Sequence, residues 1–127
     1  MARARCLIGS ARVLGSCPLQ PQAGETVIEK RHVGAFVDTA LETTLRRTGR
    51  KQLIITGFMT HNCVSSTARN ARDLGFVPTI VAAATATQDL PDGKGGVLSA
   101  AAVQAAALAS LADRIATVVG SATDIAD

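Results

Sequence analysis

The stretch 51–75, KQLIITGFMTHNCVSSTARNARDLG, constrains this chain more than any other. Leu53, Ile54 and Ile55 form a short apolar run between a basic pair and Gly57, the pattern of a parallel strand buried on both faces. Gly57 ends the run. Thr60 or Asn62 is then expected to cap a helix in which Val64, Thr67, Ala68, Ala71 and Leu74 recur at helical spacing, and Gly75 supplies the stop. Cys63 therefore falls on the first helical turn. There the unpaired amides and the positive end of the helix dipole favour an anion and lower a thiol pKa, which makes Cys63 a candidate nucleophile. A small, inert core cysteine is the alternative at this position.

Elements of the same kind flank this unit. Thr26, Val27, Ile28 and Glu29 read as a strand, with Lys30 at its carboxyl end. In open α/β sheets ligands collect beyond the carboxyl ends of strands, where Lys30 and the 57–63 turn would both sit. A lone lysine after a strand is otherwise a solvated charge. Residues 34–49 place Phe36, Ala40, Leu41 and Leu45 on one helix face, with Arg46, Arg47, Arg50 and Lys51 near the end where cations suit the dipole. Residues 76–82 form a further apolar strand, in which Pro78 lacks a ladder donor and predicts a local bulge or gap in pairing. A polar, turn-rich loop, 85–96, follows as a possible wall or lid. Its GKGG lacks the spacing of a phosphate loop. Residues 97–112 read as an alanine-rich helix with Val103, Ala107, Leu108 and Leu111 inward, and 115–119 as the last strand. Strands alternating with helices predict a parallel sheet with right-handed crossovers and helices on both faces.

The composition narrows the function. The net charge is only +3, and its densest part is at the N-terminus, not on a helix face. With no Tyr or Trp there is no platform on which single-stranded bases could stack, so nucleic acid is not an expected partner. The apolar runs are alanine-rich and interrupted, and none is expected to span a bilayer. Cysteines at 6, 17 and 63 are odd in number and have no paired spacing, which points to thiols in a reducing compartment and a cytoplasmic location. His32 and His61 have no local Cys or carboxylate to complete a ligand set, so no metal and no cofactor is expected. Residues 1–22 carry three arginines and no acid and show no clear period. They read as a poorly ordered or atypical lead-in to a domain over 23–127, the alternative being a targeting segment.

The segment ITGFMTHNCVSSTARNARDLGF resembles the signature of the isochorismatase-like cysteine hydrolases, the superfamily of nicotinamidases, N-carbamoylsarcosine amidohydrolases and isochorismatases. Gly57, Thr60, Cys63, Val64, Thr67, Ala68, Arg69, Gly75 and Phe76 carry the match. Upstream, GETVIEKRHVGAF resembles the family's strand ending in a catalytic lysine, with Gly34 in place of the usual serine. Downstream, IVAAATATQDLPDG resembles an Asp-Ala-x-Ala-Thr strand end, with Ala83 in place of the aspartate, and VQAAALASLADRIATV resembles the last helix and strand. The resemblance implies an α/β fold, a three-layer αβα sandwich with a parallel, Rossmann-like sheet. It also implies roles: Cys63 as the nucleophile that forms a thioester, Lys30 as its triad partner, the backbone amides of Met59 and Cys63 as the oxyanion hole, and a cis peptide between Phe58 and Met59.

Two departures matter. The family's general base is an aspartate in an Asp-x-Gln motif well upstream of the lysine, and residues 1–22 hold no acid. The first two strands of the usual six, ordered 3-2-1-4-5-6, are therefore expected to be missing, leaving an N-terminally incomplete domain with an exposed strand edge. The expected function is a cysteine hydrolase of a small amide or related C–N or ether substrate, impaired by the missing acid and forming homo-oligomers. The alternative is a non-catalytic remnant or oligomeric interaction domain of the same fold.

Overall fold

The computed structural model of the protein describes the backbone of Cys6–Gly9 and residues 21–125. The chain divides into two compact units, Met1–Arg50 and Lys51–Asp127. Most of the lead-in, including Cys17, lies outside the described residues.

In the first unit, β1 (Cys6–Gly9) pairs in parallel with β2 (Thr26–Glu29), Cys6 opposite Thr26 and Gly9 opposite Glu29. A strand thus lies within a segment whose sequence shows no clear period, because four residues are too few to display one. The helix expected over 34–49 is shorter: α1 spans Leu41–Arg47. The residues before it make turns, for two local reasons. Asp38 sits at φ +51, outside the right-handed helical region. The Thr39 hydroxyl donates to Ala35 O (2.6 Å) and accepts from the Leu41 amide (3.2 Å), offering the backbone an alternative to helical bonds. Ile28, Ala35 and Leu41 form this unit's buried cluster, with Phe36 and Leu45 packed against it.

The second unit is built on a parallel three-stranded sheet of order β3-β4-β7, made of β3 (Gln52–Phe58), β4 (Val77–Ala86) and β7 (Thr117–Val119). Two helices, α2 (Ser65–Asp73) and α3 (Ala100–Arg114), cover the face that carries Ile55, Ile80 and Val118, which lie opposite one another in register. Val64, Ala68, Ile80 and Leu111 are the buried centre of that layer. Burying such side chains contributes about 1.5–3 kcal/mol for each larger one. The fold is thus the expected α/β architecture, a parallel sheet flanked by helices.

Three local expectations need correction. β3 is not buried on both faces: α2 and α3 cover the face of Ile55, and on β3 Ile54 is 54% exposed and Phe58 61%. Pro78 is fully buried and in register with Leu53; the shift in β3–β4 pairing falls instead between Ile55 and Gly57. Val77 N donates to Lys51 O, and pairing with β7 begins only at Thr79, so the missing donor at Pro78 precedes that second ladder. The polar loop after β4 contains a short antiparallel hairpin, β5 (Leu90–Pro91) with β6 (Val97–Leu98). Asp92 closes it, accepting at Oδ1 from the amides of Lys94 (2.8 Å) and Gly96 (2.9 Å). These two bonds, Lys94 first, hold the Asp92 carboxyl below its usual pKa of 3.8. Ser99 caps α3 by accepting from Ala102 N at 3.2 Å.

Candidate active site

The turn that carries Cys63 begins where β3 ends. Gly57 has φ +112, a conformation that a side chain would strain although open space surrounds its α-carbon. The Phe58–Met59 peptide bond is cis, and Met59 is extended at φ −92 and ψ 140. Thr60–Val64 then forms one π-helical turn that runs directly into α2. Met59 O accepts from both Asn62 N (3.1 Å) and Val64 N (3.2 Å), the second closing the wider ring of a π-turn. Neither Thr60 nor Asn62 caps the helix, as the sequence suggested: the residue at the cap position is Met59, without a side-chain bond. Gly75, at φ +84, ends the helix as expected.

Thr60 is used differently. It is fully buried, and its hydroxyl donates to Ala86 O at 3.0 Å, bolting the turn to the carboxyl end of β4. Next to it, His61 Nδ1 meets Thr87 Oγ1 at 2.5 Å. Val64 and Ala68 anchor the other side of the turn in the core. Between these two attachments Cys63 is a half-buried cysteine on the first helical turn. Arg69 binds Ser65 Oγ (3.4 Å) and Ser110 Oγ (3.3 Å), joining α2 to α3.

Phe58, Met59 and Cys63 thus share one turn of the second unit. Lys30 belongs to the first unit, directly after β2, and its Nζ donates to the carbonyls of His32 (2.8 Å) and Val33 (3.1 Å). His32 Nε2 also meets Asp38 Oδ2 at 3.0 Å on the surface. Cys6 lies in β1. Among the described residues no three or more His, Cys, Asp or Glu side chains gather as metal ligands, and no helix is long and apolar enough to cross a membrane.

The sequence did not single out His61, Thr85 or Gln104. Gln104 Nε2, on α3, donates to Thr85 Oγ1 at 3.0 Å, and the Thr85 hydroxyl donates to Ala82 O at 3.0 Å. The one available signal was the pair Thr85 and Thr87 ending an otherwise alanine-rich stretch, since hydroxyls there need partners.

With this geometry in view, the likeness to known proteins is extensive. A family model described as the isochorismatase domain matches residues 16–123. The chain is 37% identical over 103 residues to the secreted isochorismatase effector Isc1 of Verticillium dahliae, covering 81% of this chain and 52% of that protein. It is 40% identical over 67 residues to the ureidoacrylate amidohydrolase RutB of Serratia proteamaculans, covering 53% of this chain and 27% of that one. The crystal structure of an isochorismatase from Pseudomonas putida KT2440 superposes with a TM-score of 0.81 at 44% identity, over 86% of this chain and 56% of that chain. The chain spans about half the length of relatives such as Isc1. A family model matched across most of the sequence, and a superposition at 44% identity over most of this chain, carry one conclusion: this chain belongs to the isochorismatase family of hydrolases.

Proposed function

We propose that the second unit carries the nucleophile of a cysteine hydrolase acting on a small amide or a related C–N or ether substrate. On an amide, the Cys63 thiolate attacks the carbonyl carbon, the C–S bond forms as the C–N bond breaks, the amine leaves with a proton taken from solvent water, and a second water hydrolyses the thioester to the carboxylic acid and returns the thiol. The amides of Met59 and Cys63 would receive the charge that develops on the substrate oxygen. The observation that carries this reading is a half-buried thiol on the first turn of a helix that follows a strand's carboxyl end. The amidohydrolase named among the relatives supports an amide as the substrate class.

Residues 1–22 contain no acid to serve as general base, so turnover by this chain is expected to be slow. Loss of such a base typically costs about two to four powers of ten in rate. The odd cysteine number supports a reducing, cytoplasmic compartment. The test has two parts. Alkylation followed by mass spectrometry should find Cys63 reacting faster than Cys6 and Cys17 in the folded chain. Steady-state assays against a panel of small amides, with Cys63→Ala as control, should find slow turnover that depends on Cys63. If Cys63 is the slowest thiol of the three, the nucleophile assignment is wrong; rapid, Cys63-dependent turnover would show that an acid is supplied from elsewhere.

A second reading is a non-catalytic domain that self-associates, favoured by an edge of β3 that has no strand partner among the described residues and by the exposure of Ile54 and Phe58. It predicts no Cys63-dependent turnover, and a concentration-dependent sedimentation coefficient that Ile54→Lys reduces.

A further inference from the structure

We infer that Gln104 is a positioning residue for the Cys63 turn, acting through the strand end 85–87; this rests on the reading of Cys63 as the nucleophile. The three residues of that strand end are each engaged from outside their own strand. Thr85 accepts at Oγ1 from Gln104 Nε2 (3.0 Å), and its carbonyl lies 3.5 Å from the same nitrogen. Ala86 O accepts from Thr60 Oγ1, and Thr87 Oγ1 meets His61. Gly57 and Phe58 stand in register opposite Thr85 and Ala86. Of the five residues that lead from β3 into the turn, Gly57, Phe58, Thr60 and His61 are therefore each tied to this strand end, on both sides of Met59. A displacement of 85–87 must move the two amides assigned to the oxyanion hole.

Gln104 fixes the strand end from α3. The single proton of the Thr85 hydroxyl is already donated to Ala82 O, so Oγ1 has only acceptor capacity left for residue 104. A glutamine amide meets that need, and an apolar side chain or a carboxylate does not. The other end of the amide shows what this orientation costs: Gln104 Oε1 is buried and, among the described residues, has no partner. The nitrogen side alone sets the amide's orientation.

The experiment compares the parent chain with Gln104→Met, Gln104→His and Thr85→Val. Two quantities are read: the rate constant for iodoacetamide on Cys63, in buffer and in urea, and amide hydrogen exchange at Asn62 and Val64, both of which donate to Met59 O. Gln104→Met is expected to slow Cys63 roughly tenfold towards its rate in urea, as the turn loses its alignment with the helix dipole, and to speed exchange at both amides. Gln104→His keeps a ring N–H and should stay within about twofold of the parent. Thr85→Val removes the same bond from its other side, so it reads the effect even if Gln104→Met fails to fold. A folded Gln104→Met chain with unchanged Cys63 rate and unchanged exchange would overturn the inference. A parent Cys63 that reacts no faster in buffer than in urea would overturn the nucleophile reading instead, and exchange at Asn62 and Val64 would then judge the positioning of the turn by itself.

Discussion

Replacing Thr60 by valine removes one hydroxyl from the base of the turn and almost nothing else. Valine has the shape of threonine, so no cavity opens at this fully buried site, and what is lost is the 3.0 Å bond to Ala86 O. A neutral hydrogen bond contributes a net of about 1 kcal/mol, and an acceptor left without a partner adds to the loss according to how far water is excluded from it. Ala86 is exposed, so its carbonyl can be partly rehydrated, and the total is placed at about 1–2 kcal/mol. Thr60→Ala loses the same bond and also opens a methyl-sized gap beside the core, for a total of about 2–3 kcal/mol. The chain has no Trp or Tyr, so far-ultraviolet circular dichroism in urea is the suitable signal. The midpoint should fall in the order parent, valine, alanine, with the slope unchanged. A valine variant as stable as the parent would refute the reasoning, because it would show that the hydroxyl is not bonded to Ala86 in solution.

Two further outcomes concern other elements. Asp38 sits at φ +51, where a β-carbon is crowded, so Asp38→Ala should cost about 1 kcal/mol while Asp38→Gly is neutral or stabilising; an alanine variant more stable than the glycine one, by urea midpoint, would contradict that backbone conformation. Asp92 has its carboxyl held below the ordinary value of 3.8 in the folded chain, so its contribution to the hairpin is fully present above that value and is lost as the pH falls through the lower, folded one. Amide shifts of Lys94 and Gly96 followed by NMR should titrate together in that acid range, and in Asp92→Asn they should not titrate there.

The local features of the central unit were legible because they depend on neighbours in sequence. The apolar run of β3, the glycines at 57 and 75, the helical spacing of Val64, Ala68 and Ala71, and the placement of Cys63 on the first turn all follow from backbone sterics and side-chain periodicity within a few residues. The family motif spans the same segment, and the turn at Phe58, Met59 and Cys63 was named from it. Position in the sheet was a different matter. An apolar triplet looks the same whether one face of its strand is covered or both, so the exposure of Ile54 was decided by which face α2 and α3 pack on. The four-residue β1 became a strand only by pairing with β2. Thr60 looked like a helix cap because a hydroxyl before an apolar helix usually is one. Its actual partner, Ala86 O, is 26 residues away in sequence, as Thr87 is from His61, and Gln104 reaches 19 residues back to Thr85. Such bonds depend on the register between β3 and β4 and on where α3 crosses the sheet. Sequence alone therefore determined which residues form the Cys63 turn, and the tertiary structure decided what holds it, because a hydrogen bond is made only when packing brings donor and acceptor within about 3 Å of each other.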